Sequence, residues 1–199
     1  MPYHEGAAAP RMAVIAYHQW LAGAAWIVRL GLTLIMAAVM GLAAQIRIPL
    51  PFTPVPLTAQ VFVVLLSGIV LGGGYGGLSM ALYLLFGFAG LPWFTGWSAG
   101  TWFGPTTGYL IGFVPAALFT GIAFPRAREF LGQALVMTTA VFIIYLFGAL
   151  HIALILKTGF SHTLILAILP FIPFDIVKAV AAAGLGRVLT PGTAPRDRS

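Results

Sequence analysis

Between Arg47 and Arg126 the chain runs for 78 residues without an Asp, Glu, Lys, Arg or His. A soluble domain carries a charge at about one residue in four, so no water-facing surface can be built from such a stretch. Two further segments repeat the pattern: 27 residues between Glu129 and Lys157, and 17 between Lys157 and Asp175, hold no Asp, Glu, Lys or Arg. Over all 199 residues 60% are hydrophobic and 7% charged, and the mean hydropathy is +1.01. A bilayer core takes ~20 apolar residues per helix, which gives the longest segment room for three spans. These features exclude a soluble enzyme, a disordered chain and a DNA-binding module. They predict an all-α, polytopic membrane protein.

The net charge of +6 reads as the Lys/Arg excess of cytoplasmic loops, not as a nucleic-acid footprint. There is no Cys, which excludes disulfides and thiolate metal sites. His4, His18, His151 and His162 show no metal-ligand spacing, and no cofactor is expected. The apolar run at residues 12–28 continues past Arg29 without a persuasive cleavage site, against a signal peptide.

Breakers divide the chain into six expected spans. The first runs from Ile27 to Ile46 and stops at Pro49-Leu50-Pro51-Phe52-Thr53-Pro54-Val55-Pro56, where four prolines cannot continue a helix. The second begins near Leu57 and ends at Gly72-Gly73-Gly74-Tyr75-Gly76-Gly77, read as a tight turn. The third is short, from Leu78 to Phe88, before an aromatic-rich connection through Pro105. The fourth ends near Phe124, the fifth covers Phe130 to Leu156, and the sixth, Thr163 to Leu189, is kinked at Pro170 and Pro173. Residues 12–26 extend the first helix or lie in the interface. The domain division is a tail at 1–11, one six-helix membrane domain at 12–189, and a tail at 190–199.

Charge asymmetry orients these spans with both termini cytoplasmic. Inner regions then hold Arg11, Arg29, Arg126, Arg128, Arg187, Arg196 and Arg198, against Arg47 and Lys157 outside. The Pro-rich loop, the aromatic-rich connection and the Pro170–Phe174 segment all fall on the outer side.

Three helices are expected to restart there just after a proline, at Pro56-Leu57-Thr58, Pro105-Thr106-Thr107 and Pro173-Phe174-Asp175. Their N-termini could together hold a carboxylate, or could be ordinary helix starts. Asp175 and Lys178 stand i, i+3 on one face of an otherwise apolar segment. They are either an ion pair near the helix end or the polar wall of a pocket, Asp175 accepting N–H donors and Lys178 attracting an anion. Trp93, Phe94, Trp97, Trp102 and Phe103 crowd the outer connection, as interfacial anchors or as a lid. Ala37 and Gly41, followed by Ala44, make a small-xxx-small pattern that serves internal packing or a partner protein. Gly72–Gly77 matches G-x-G-x-x-G, but no strand precedes it. Gly96-Trp97-Ser98-Ala99-Gly100 matches G-x-S-x-G with Glu129 and His151 following. The strand–turn–helix context of a nucleophile elbow is missing, which leaves an intramembrane serine hydrolase as a remote alternative.

Several separated motifs then occur in family order: Pro51-Phe52-Thr53-Pro54-Val55-Pro56-Leu57-Thr58-Ala59-Gln60, Tyr83-Leu84-Leu85-Phe86-Gly87, Gly90-Leu91-Pro92-Trp93-Phe94, Gly104-Pro105-Thr106-Thr107-Gly108-Tyr109 and Pro170-Phe171-Ile172-Pro173-Phe174-Asp175-Ile176-Val177-Lys178. Over roughly residues 30–188 the chain resembles the BioY family, the biotin-binding S components of energy-coupling factor (ECF) transporters. The resemblance implies six helices around a pocket open to the outside, no ATPase or other enzymatic activity, and a bacterial or archaeal cell membrane. It implies a membrane T component and two ATP-binding subunits as partners, with Ala37 and Gly41 facing the T component. It carries Asp175, Lys178, Tyr109, Gly108, Thr107, Thr106, Gln60, Thr58, Trp93 and Phe94 over as the expected substrate site. Thr107 and Phe174 stand where the family pattern has Gly, and Trp93 departs from its LPVF. An S component for another vitamin or small carboxylate is the alternative, and assembly into a homo-oligomer is left open.

Overall fold

The computed structural model describes residues 19–189 apart from 22, 101 and 102. The tails at 1–11 and 190–199 lie outside the described residues, as do residues 12–18, His4, His18 and Trp102. The elements are α1 (Trp26–Ala43), β1 (Arg47–Ile48), β2 (Leu57–Thr58), α2 (Gln60–Phe88), α3 (Thr107–Ala123), a 3-10 turn (Phe124–Arg126), α4 (Phe130–Leu156), α5 (Phe160–Ala167) and α6 (Ile172–Leu189).

Among the described residues four helices are long and apolar enough to cross a membrane, or five if the bent pair α5–α6 counts as one span. Six were expected, and two elements are not single straight helices. The 29-residue α2 is not a straight rod. Gln60 and Tyr83 are 23 positions apart, which in a straight helix is roughly 35 Å, yet their side chains are hydrogen-bonded at 3.1 Å. The chain reverses at Gly72, whose φ of +77° is open to glycine and strained for other residues. At Gly76 a methyl group would lie 2.9 Å from Gly68 Cα, so the limbs 60–71 and 73–88 run back to back. The expected turn is therefore present but confined to Gly72: Gly73–Gly77, read as part of it, are the helical start of the second limb, which begins ahead of the expected Leu78.

The last span is bent by 54° between α5 and α6, at the break around Pro170. The limits of α4 coincide with those read from the sequence. Its exposed residues Leu131, Leu135, Phe142, Leu146, Leu150 and Leu154 fall on one stripe at helical spacing, the face a membrane protein turns to lipid. Met137, Ile144 and Ile152 are fully buried behind it.

Side-chain contacts sort the bundle into two ends. At one end Arg29 lies over the Tyr75 ring, and Gly186 packs beneath Phe124, which gathers Arg29, Arg126 and Arg187. At the other, Thr53 donates to the Leu166 carbonyl at 2.8 Å and His151 pairs with the Gly104 carbonyl at 3.1 Å. Every Pro-, Gly- and aromatic-rich connection expected on a single side is at that second end.

Candidate functional site

The site is organised by the bend before α6. Prolines at 170 and 173 prevent a continuous helix, and α6 resumes at Ile172 with Pro173 in its second position. The three expected post-proline helix starts differ from one another. Only Pro105 stands directly before a helix N-cap, Thr106. Pro56 leads into β2, antiparallel to β1 with Thr58 opposite Arg47, and its helix begins only at Gln60.

Asp175 occupies the first turn of α6, where the positive helix end favours a carboxylate. It is 3% exposed, and each of its carboxylate oxygens has one partner. Tyr145 of α4 donates its hydroxyl to Oδ2 at 2.8 Å. Lys178 donates to Oδ1 at 2.7 Å, and the same ammonium donates to the Thr58 carbonyl at 2.7 Å. Burying these charges is tolerable because each has a close partner. Lys178 thus ties α6 to the strand that ends the Pro-rich loop.

Above this pair is a cleft whose empty space, counted out through its open mouth into solvent, is about 480 Å³. Val55, Leu57 and Thr58 come from the Pro-rich loop, Gln60 from α2, Thr95 and Thr106 from the aromatic connection and its end. Tyr109, Leu110 and Phe113 come from α3, Ile144 and Tyr145 from α4, and Phe171, Asp175 and Lys178 from the bend and α6. Gln60 donates to the Tyr83 hydroxyl and accepts from the Thr58 hydroxyl at 3.2 Å. The Tyr109 hydroxyl donates to the Ala167 carbonyl at 2.6 Å, leaving its ring, edge-on to Phe171, as cleft wall. A second cavity of about 560 Å³, lined by Phe94, Ser98, Gly104 and Thr107 among others, shares Thr95, Thr106 and Leu110 with the first. The chemistry on offer is one charged pair, a few fixed hydroxyls and an amide, and a large apolar wall.

Of the expected site residues, Asp175, Lys178, Tyr109, Thr106, Gln60 and Thr58 meet in the main cleft, and Thr107 and Phe94 line the adjoining cavity. Two are elsewhere. Trp93 packs on Tyr83 with ring centroids 5.2 Å apart and donates its indole N–H to the Tyr83 carbonyl, behind the wall. Gly108 faces α4, where a methyl would lie 2.3 Å from His151 Cβ. It lets two helices touch and does not line the cleft. Phe174, one of the departures from the family pattern, is 48% exposed and outside the lining. Ala37 and Gly41 are buried, Gly41 with Trp93 Cβ 3.1 Å from where a methyl would be. They pack α1 internally, so this face is not free for a partner protein.

Tyr145, Thr95, Phe113 and Phe171 are cleft residues that sequence reasoning missed. Tyr145 is a lone tyrosine in an apolar helix, and only the fold brings it to Asp175. The serine-hydrolase constellation does not assemble: the Ser98 hydroxyl donates to the Thr95 carbonyl and His151 pairs with Gly104. Among the described residues no three His, Asp or Glu side chains gather as metal ligands.

Comparison with known proteins extends this geometry to a family. The BioY family model matches residues 13–194. A probable biotin transporter BioY of Methanothermobacter thermautotrophicus is 43% identical over 138 residues, 63% of this chain and 88% of that one. One from Pyrococcus horikoshii is 38% identical, covering 81% and 96%, and the biotin transporter BioY of Rhizobium etli is 34% identical, covering 80% and 90%. The crystal structure of the S-component for biotin from an ECF-type ABC transporter superposes with a TM-score of 0.76 at 25% identity, over 83% of this chain and 92% of that one. The fold, the outward apolar stripe and these matches agree, and the chain belongs to the BioY family of multi-pass membrane transport proteins and is not an enzyme.

Proposed function

We propose that the chain is the biotin-binding S component of an ECF transporter in a bacterial or archaeal cell membrane, with the cleft open to the outside. The observation that carries this reading is the buried Asp175–Lys178 pair beneath an apolar cleft at the loop-rich end. Biotin's ureido N–H groups are donors for the Asp175 carboxylate, and its apolar body suits the Phe113, Tyr109 and Phe171 wall. Its own carboxylate would go to the start of α3 near Thr106 or to Lys178. A T component and two ATP-binding subunits would supply the energy. With Ala37 and Gly41 buried, contact with a T component would fall to other, exposed residues of the membrane face.

Titration of the purified protein with biotin, beside Asp175→Asn and Lys178→Ala, tests the site. Binding of biotin in preference to a panel of other vitamins, lost or strongly weakened in both variants, is the expected result. Undiminished binding by both would remove the pair from the site, and preference for another vitamin would overturn biotin as substrate.

A further inference from the structure

Gln45 follows the end of α1 and reaches across to the connection between α2 and α3. Its Nε2 donates to the carbonyls of Gly41 at 3.0 Å, Phe94 at 3.1 Å and Trp93 at 3.3 Å. Its Oε1 accepts the backbone N–H groups of both Gly96 and Trp97, each at 3.1 Å. A primary amide offers two protons and two lone pairs, so both lone pairs are used and one proton is shared between two carbonyls. Four of its five contacts go to residues 93–97.

The held segment needs holding. Gly96 and Trp97 both have left-handed backbones, with φ of +79° and +57°, a conformation uncommon for a bulky side chain. Their successive N–H groups converge on the one Gln45 oxygen, as in an anion-binding nest. Reciprocal Phe94 and Ser98 backbone bonds close the turn, and the Arg47 guanidinium covers Gly96. Thr95 lies between the two clamped pairs. It lines both the main cleft and the adjoining cavity.

We infer that Gln45 is a positioning residue: its amide fixes the 93–98 turn as a closing wall of the cleft and thereby sets how slowly a bound ligand leaves. It touches none of the cleft itself, and the inference rests on the biotin reading for the identity of that ligand. Backbone segments that are held by several hydrogen bonds open rarely, and opening is what releases a ligand enclosed by a loop.

The test uses Gln45→Leu and Gln45→Glu in the full-length protein in lipid nanodiscs, with two readouts: the dissociation rate of labelled biotin in a chase, and hydrogen exchange of the peptide covering 93–98. Leucine removes every bond, and dissociation should quicken roughly 10- to 100-fold while association changes less than about 3-fold. Glutamate keeps the acceptor for Gly96 and Trp97 but turns an oxygen toward the Trp93 and Phe94 carbonyls. Exchange should then rise less than with leucine, and dissociation should still quicken. If Gln45→Leu does not fold, Gln45→Glu carries the test alone. Unchanged dissociation with raised exchange would overturn the inference, as would unchanged exchange. Should the wild-type protein retain no biotin, the biotin reading fails separately. Exchange of the ligand-free variants then decides, a rise supporting the clamp and no change overturning it.

Discussion

The Asp175–Lys178 pair invites a double-mutant cycle. The two charges are 2.7 Å apart with side chains 18% and 4% exposed. At an effective dielectric of about 20 the attraction is roughly 6 kcal/mol, much of it offset by desolvation, so the pair's net worth is small. Breaking it is different: removing one partner from a buried pair leaves an uncompensated charge and costs about 3–5 kcal/mol. Lys178→Met should do this, because Asp175 would keep only the Tyr145 hydroxyl and the Thr58 carbonyl would lose its donor. Asp175→Asn strands the ammonium less completely, since that same carbonyl still accepts from it. In the double variant neither charge is buried alone, and the combined loss should fall short of the sum by at least ~2 kcal/mol. For a chain of this size 1 kcal/mol moves Tm by about 2–4 °C. Lys178→Met should therefore unfold roughly 6–20 °C lower in nanodiscs, with the double variant recovering part of that. Biotin titrated in parallel should bind all three variants weakly, because stability can be regained without the charges and the ligand's partners cannot. Additive losses, or single variants shifting Tm by less than about 2 °C, would refute the buried, coupled pair.

Other substitutions separate neighbouring roles. Thr58→Ala should cost only about 1 kcal/mol, the scale of a lost helix-start hydroxyl, because Lys178 uses the Thr58 carbonyl and the hydroxyl serves Gln60. A Tm loss as large as that of Lys178→Met would contradict this. Tyr145→Phe takes one donor from a buried carboxylate and should cost about 1.5–3 kcal/mol, read as a Tm loss together with weaker biotin binding. At the hairpin, Gly72→Ala meets no atom within 4 Å and should cost about 1–3 kcal/mol through its backbone alone, since φ +77° with ψ 168° is a region essentially reserved for glycine. Gly76→Ala, facing Gly68 backbone at 2.9 Å, must part the limbs, so its Tm should fall clearly further than that of Gly72→Ala.

How much of this was legible in the chain follows from what each feature depends on. The membrane class, the limits of α4, the break near Pro170 and the Gly72 turn rest on local chemistry: apolar runs, proline's missing N–H and glycine's open backbone. All of these can be read in order along the sequence. Two features show where local rules stop. Small residues at 37 and 41 do permit close approach, but the pattern does not say to what, and Trp93 of the same chain fills that groove. Proline does suit a helix start, but Pro56 is followed by a strand residue paired with Ile48, a pairing set by the loop's return.

The charged pair was visible because a polar group in an apolar segment has few innocent explanations, and for the same reason the neutral residues that hold the cleft were hidden. Asp175 and Lys178 are anomalies of composition. Tyr145 and Gln45 are not, since a tyrosine or glutamine near a helix end or within a membrane span can be satisfied in many ways. What distinguishes them is satisfaction at long range. Gln45 meets groups 48 to 52 positions away, and Tyr145 meets one 30 away. In a low-dielectric interior an unpaired polar group is costly, so each such side chain must find partners, and the fold decides which. Charge scarcity therefore singles out the buried pair, while the neutral polar residues that tie the surrounding elements together are identified only once the helices are packed.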